Sequence, residues 1–178
     1  MKIRVRDAGP ADAAAIARVH VNTWRTTYTG ILPDEFLAGL EYANSEAVWS
    51  AAMASDRPGA SLLVAETAQG EVVGFAYGAP EREGDPTYQG EIFAIYVLQA
   101  YQRQGAGHRL FSAAARRLHE AGFDAFLLWV LKDNLPARRF YESLGGTYLT
   151  EKTITIGETD LIEVSYGWRD IADITGEA

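Results

Sequence analysis

The chain has 178 residues, 48% of them hydrophobic, with four Trp and nine Tyr, enough to bury the core of one globular domain. It has no cysteine, which excludes disulfides, thiolate metal sites and a cysteine nucleophile, and its three histidines show no metal-ligand spacing. A net charge of −8 argues against general nucleic-acid binding. Between Ile92 and His119, however, there is no Asp or Glu. Arg103, Arg109, Arg116 and Arg117 give that stretch +4 and leave −12 for the remainder. A cationic island in an acidic protein fits a compact polyanionic ligand, or else a basic helix face balanced by acids elsewhere in the fold.

The N-terminus MKIRVRDAG has neither the apolar core of a signal peptide nor a span-length apolar run, so a cytoplasmic protein without membrane contact is expected. Lys2 to Asp7 alternates as a strand, and Gly-Pro-Ala-Asp opens a helix running to about Tyr28. A second helix is predicted from Pro33 or Asp34 to about Met53. Ser61 to Glu66 and Val72 to Ala79, joined at Gln69-Gly70, read as a hairpin, and the apolar run Glu91 to Leu98 as a central strand.

Gly105 to Ala121 has helical spacing of Leu110, Phe111, Ala114 and Leu118, and stops at Gly122. Phe126 to Val130 is a buried strand, Pro136 to Leu144 a short helix closed by Gly145-Gly146, and Thr147 to Ile156 with Leu161 to Trp168 a final pair of strands. One domain over 1–172 with a frayed tail over 173–178 is expected. The helix joining strands 91–98 and 126–130 makes them a parallel pair with a right-handed crossover. The turn QRQGAGHRL, Gln102 to Leu110, then lies at the carboxyl end of the first strand, where open α/β sheets bind ligands.

At the start of the helix that follows, the backbone amides of residues 104 to 109 are expected to lack intrahelical acceptors, a setting that attracts phosphate. Gly105 and Gly107 would let a diphosphate approach closely. A P-loop would need a Lys-Ser/Thr pair after the glycines, and the dinucleotide fingerprint a third glycine where Leu110 stands. Taken alone, the glycine pattern fits a tight structural turn as well as a phosphate cradle.

IFAIYVL, QAYQRQGAGHRL, FLLWVLKDN and ARRFYESLGG together resemble the GNAT superfamily of acetyl-CoA-dependent N-acetyltransferases, whose turn signature Gln/Arg-x-x-Gly-x-Gly/Ala is met by Gln102 to Gly107. The resemblance implies a mixed α/β GNAT fold: a twisted, mostly antiparallel sheet of about seven strands with one splayed parallel pair at its centre and about four flanking helices. It implies acetyl-CoA as donor and no metal. The backbone of Ile95, Tyr96 and Val97 would pair with the pantetheine arm, and Arg103, Gln104, Gly105, Ala106, Gly107 and His108 would hold the pyrophosphate. Asn134 would bond the pantetheine or acetyl end, and Tyr141 would stand near the thioester sulfur as the acid for the leaving thiolate.

An amine acceptor with a pKa of about 10.4 must lose a proton before it attacks, and the resulting oxyanion needs a donor, for which the amide of Val97 is the candidate. Glu91, eleven residues before Gln102, is the expected base through water, at a register where some histone-type members carry a glutamate. The bacterial ribosomal-protein acetylating branch has its base five residues before the asparagine, and here that position is Trp129. Trp24 and Tyr28, with His20 on the same helix face, resemble acceptor-side residues, although such a stripe is also ordinary core. Glu81, Glu83 and Asp85 could draw a cationic amine toward the site. A small amine is the expected acceptor; the alternatives are a protein N-terminus or lysine, and a non-catalytic acyl-CoA sensor. The family's habit of dimerising through C-terminal strands makes the apolar final hairpin a candidate homodimer surface.

Overall fold

The computed structural model describes residues 2–171 and 174. The tail expected over 173–178 lies, Ile174 apart, outside them. In chain order the elements are β1 Ile3–Asp7, α1 Ala13–Thr27, α2 Asp34–Ala38, α3 Tyr42–Ala54, β2 Ser61–Thr67, β3 Val72–Pro80, β4 Gly90–Val97, α4 Ala106–Glu120, β5 Phe126–Leu131, α5 Leu135–Ser143, β6 Thr147–Ile156 and β7 Thr159–Trp168. The strands form one seven-stranded sheet in the order β1-β2-β3-β4-β5-β7-β6. Every pairing is antiparallel except β4 with β5.

Side-chain alternation sorts each strand between two layers. On one face Leu128, Val130, Val164, Tyr166 and Trp168 pack with Leu110, Phe111 and Leu118 of α4 and Tyr141 of α5. On the other, Val64, Phe75 and Ala94 meet Ile16 and Val19 of α1 and Trp49 of α3, while Leu131 meets Tyr28 and Leu37. The α4 amphipathicity read from the sequence is thus the helix's docking stripe.

The second helix expected over 33–53 is two. α2 ends at Gly39, and the guanidinium of Arg25 captures the carbonyls of Leu37, Ala38 and Leu40, so tertiary hydrogen bonds hold the chain out of helix there. The split makes five α-helices, α1 to α5, among the described residues.

The parallel pair has the feature that builds the site. β4 and β5 are in register only at Gly90 with Phe126 and Glu91 with Leu127. Beyond those pairs the strands diverge and leave a gap in the middle of the sheet.

Candidate active site

β4 turns half of its backbone into this gap. The amide of Leu98 donates to the carbonyl of Val73 on β3 at 2.9 Å, so strand alternation directs the amide of Val97 away from β3, toward the diverging β5. The same alternation turns Ile95 that way. Gln102, just after the strand, donates from Nε2 to the Val97 carbonyl at 2.9 Å and so ties the turn to the strand end.

The turn itself is strained in the manner of an anion cradle. Gly105 has φ +84° and Arg103, unusually for a residue with a side chain, +57°. Among the described residues, the amides of Arg103 to His108 donate to no protein acceptor. The amide of Arg109 donates to the carbonyl of Gly105 at 3.1 Å, so the expectation of free amides through residue 109 is corrected to 108. Arg103, His108 and Arg109 are exposed beside these amides, whereas Arg117 is tied to Asp7 and Glu120.

The two layers meet through the gap. Tyr141 comes from the α5 side, buried and with its phenol raised above its ordinary value by loss of solvent and by proximity to Tyr96. From the α1 side, burial raises Tyr28 well above its ordinary value, and Tyr96, Tyr141 and Asn134 are near enough to add to or oppose that shift. Tyr96 is also raised by burial, opposed by donors on Trp24 and Tyr28. The indole Nε1 of Trp24 is nevertheless buried without a partner of good hydrogen-bond geometry, so it stands near the Tyr96 hydroxyl and is not firmly bonded to it. Asn134 caps α5, its Oδ1 accepting from the Ala137 amide at 3.3 Å.

The stripe on α1 exists as read: His20 to Trp24 is 5.4 Å between ring centroids and Trp24 to Tyr28 is 5.0 Å. His20 also stands edge-on to Trp49 and Phe75, shares a hydrogen bond of 2.8 Å between Nδ1 and Ser45 Oγ, and has its pKa pushed down to about 4 by burial. It is a neutral wall at physiological pH.

Glu91 does not join this convergence. It lies at the zipped end of β4, four residues before Ile95, a strand length of about 13 Å. It is wholly buried, its pKa raised by desolvation and opposed by Arg82, whose guanidinium it accepts. Nor do Glu81, Glu83 and Asp85 form a free acidic rim. Glu81 accepts from three backbone amides, at Glu83, Gly84 and Asp85; Asp85 accepts from Thr87 and Tyr88; and Glu83 is paired with Lys152. The side chains of Tyr96 and Arg82 were not singled out by sequence, because their roles depend on neighbours far along the chain.

A mixed sheet parted at its centre, with free amides at the mouth of the gap, defines a protein that can bind an extended anionic ligand between two strands. The sequence matches the model of the Acetyltransferase (GNAT) family over residues 21–146. It is 37% identical to the uncharacterized N-acetyltransferase YuaI of Bacillus subtilis (strain 168), over 96% of this chain and 95% of the relative. With phosphinothricin N-acetyltransferase of Streptomyces viridochromogenes it shares 27% identity over 82% and 74% of the two chains. The solved structure of PaiA N-acetyltransferase from Thermoplasma acidophilum in complex with coenzyme A has the same fold, with a TM-score of 0.75 at 20% identity over 94% of this chain and 100% of that one. The chain belongs to the GNAT acetyltransferase family and is an acetyl-CoA-dependent N-acetyltransferase. As to membranes, no helix among the described residues is long and apolar enough to cross one.

Proposed function

We propose that the protein transfers the acetyl group of acetyl-CoA directly to a small amine in a ternary complex. The observation that carries this reading is the approach of Tyr141 to Tyr96 and Tyr28 through the β4–β5 gap, beside the strand edge of Ile95 and Val97. The residues fit the donor. Ile95 and Val97 offer a free strand edge to an amide-bearing arm, Tyr96 lies between them in the chain, and Arg103, Gln104, Gly105, Ala106, Gly107 and His108 offer unbonded amides to a pyrophosphate. Acetyl-CoA supplies an activated acyl group and a thiolate leaving group.

In this reading the gap-facing amides of Val97 and Ile95 stabilise the oxyanion. Tyr141, kept protonated by burial, gives its proton to the departing sulfur, and Asn134 orients the ligand beside it. Glu91, although set back from the convergence at the zipped end of β4, is assigned the amine's proton through a relay of waters, its raised pKa making it a stronger base than an exposed glutamate. Trp24 and Tyr28 wall the acceptor. The absence of cysteine supports direct transfer over an acyl-cysteine route.

Support for a small acceptor comes from the close aromatic wall around His20 and from the name of the phosphinothricin-acetylating relative. Thiol release from acetyl-CoA, measured against small amines, amino acids and peptides, tests the reading. Release with a small amine that is lost in Tyr141→Phe is expected. Release with peptides alone would replace the acceptor class, and tight acetyl-CoA binding without release from any acceptor would make the protein a sensor.

A further inference from the structure

The face of the sheet that carries Trp24 and Tyr28 also carries a caged ammonium. Nζ of Lys152 lies 3.9 Å from the ring centroid of Trp129, 3.5 Å from Glu163 Oε1, and in an ion pair with Glu83. The placement follows from register. Lys152 on β6 is directly opposite Glu163 on β7, and Glu163 is opposite Leu131 on β5. Trp129, one step along β5 from Leu131 on the same face, supplies the aromatic floor.

Glu83 reaches in from the β3–β4 connection, so three distant parts of the chain close on one cation. Glu163 is raised above its ordinary pKa by burial, opposed mainly by Lys152, and its side chain is only 15% exposed. A carboxylate so placed needs a cation close by. Trp129 lies two residues past Leu127, the last residue of β5 paired with β4, where the gap begins.

Trp129 therefore stands where the gap opens, on the sheet face that also carries Trp24 and Tyr28, and an aromatic face flanked by two carboxylates is the chemistry that binds an alkylammonium. We propose that Trp129, Glu83 and Glu163 form an ammonium subsite of the acceptor site which Lys152 fills from within, so that Lys152 sets selectivity by competing with the second ammonium of a diamine acceptor. The inference rests on the small-amine reading above. It adds that a monoamine leaves Lys152 in place, whereas a diamine must displace it. Lys152 can yield, because its stem lies on the edge strand β6 and its side chain keeps 30% exposure.

The probes are n-butylamine and 1,4-diaminobutane, which differ by one ammonium. In Lys152→Met the KM for 1,4-diaminobutane falls by about tenfold, while kcat and the KM values for n-butylamine and acetyl-CoA stay within about twofold. Lys152→Arg, which keeps a cation in the cage, restores the wild-type ratio, and adding Glu163→Gln to Lys152→Met cancels the gain. An unchanged ratio of the two KM values in folded Lys152→Met, or an equal gain for both amines, overturns the proposal. Should the wild type turn over neither probe, calorimetry of 1,4-diaminobutane on the CoA-loaded protein decides. Tighter binding by Lys152→Met than by wild type is expected, and equal or weaker binding overturns it. Failure of the small-amine reading looks different: no thiol release with any small amine, in wild type and variant alike.

Discussion

Arg82 grips Glu91 with two nitrogens: Nη2 lies 2.5 Å from Oε1, and Nε lies 3.2 Å from each carboxylate oxygen. The carboxylate is wholly buried while the guanidinium side chain is 51% exposed, so the pair forms a bridge from solvent to the zipped end of β4. Removing the arginine alone strands a charge. Arg82→Met should cost about 3 kcal/mol of stability at neutral pH. The sign with pH follows from Glu91, whose folded pKa already exceeds the ordinary glutamate value because desolvation outweighs Arg82. Over the interval between the unfolded and folded values the native state holds the extra proton, so stability falls as pH rises. Without Arg82 that interval extends upward. The penalty measured by urea unfolding should therefore grow between pH 5 and pH 8, and a penalty constant across that range would contradict the account.

The same pair bears on catalysis. If Glu91 takes up the acceptor's proton, Glu91→Gln lowers kcat/KM by about 10²-fold and removes the acid limb of its pH profile. Arg82→Met should keep that limb and move it to higher pH. A Glu91→Gln enzyme with an unaltered profile would reduce Glu91 to a structural residue.

Tyr141→Phe removes only a hydroxyl. The proposed acid role predicts a drop in kcat of about 10²-fold, with the KM for acetyl-CoA changed by less than about twofold. Because burial raises the phenol above its ordinary value, the wild-type kcat profile should show no alkaline fall from this group up to pH 9.5. Stopped-flow thiol release over pH 6 to 9.5 reads both effects.

Gly105 has φ +84° and open space where a Cβ would go, so Gly105→Ala is opposed by backbone conformation and not by a clash. The strain of about 1 kcal/mol falls on the turn that presents the free amides. The expected result is a KM for acetyl-CoA raised by about fivefold to tenfold with kcat nearly unchanged. Calorimetric titration with coenzyme A should give a matching loss of affinity.

His20 provides a pH test independent of turnover. Burial lowers its pKa to about 4, so as pH falls from 6.5 toward that value the unfolded chain takes up a proton that the native chain refuses. Stability contributed by neutral His20 is present above 6.5 and lost on acidification. The wild-type urea midpoint should fall more steeply between pH 6.5 and pH 4.5 than that of His20→Gln; parallel curves would show that the ring titrates freely.

What the sequence made legible was what is encoded locally. One alternating stretch, the apolar runs and the turn residues between them placed β1 to β7, and helical spacing placed α4. The break at Gly39 was missed because its cause, Arg25 reaching three carbonyls, is a tertiary contact. For the same reason Glu81, Glu83 and Asp85 read as a free rim when their charges are absorbed by backbone amides and by Lys152. The Arg82–Glu91 pair spans a loop, and the Lys152 cage joins residues 69 apart or registered across strands. No local pattern announces either.

An open sheet ordinarily ends in two raw edges, and this one has four. β1 and β6 close the outside, but the parting of β4 and β5 creates two more in the interior. Interior edges are sheltered from the strand of another protein, which is too bulky to enter, and remain open to a thread as slender as a pantetheine chain. The centre of the sheet, normally the slowest part of a protein to exchange its amide hydrogens, should here be locally fast at Val97 in the free protein. It should become slow once a ligand supplies the missing strand.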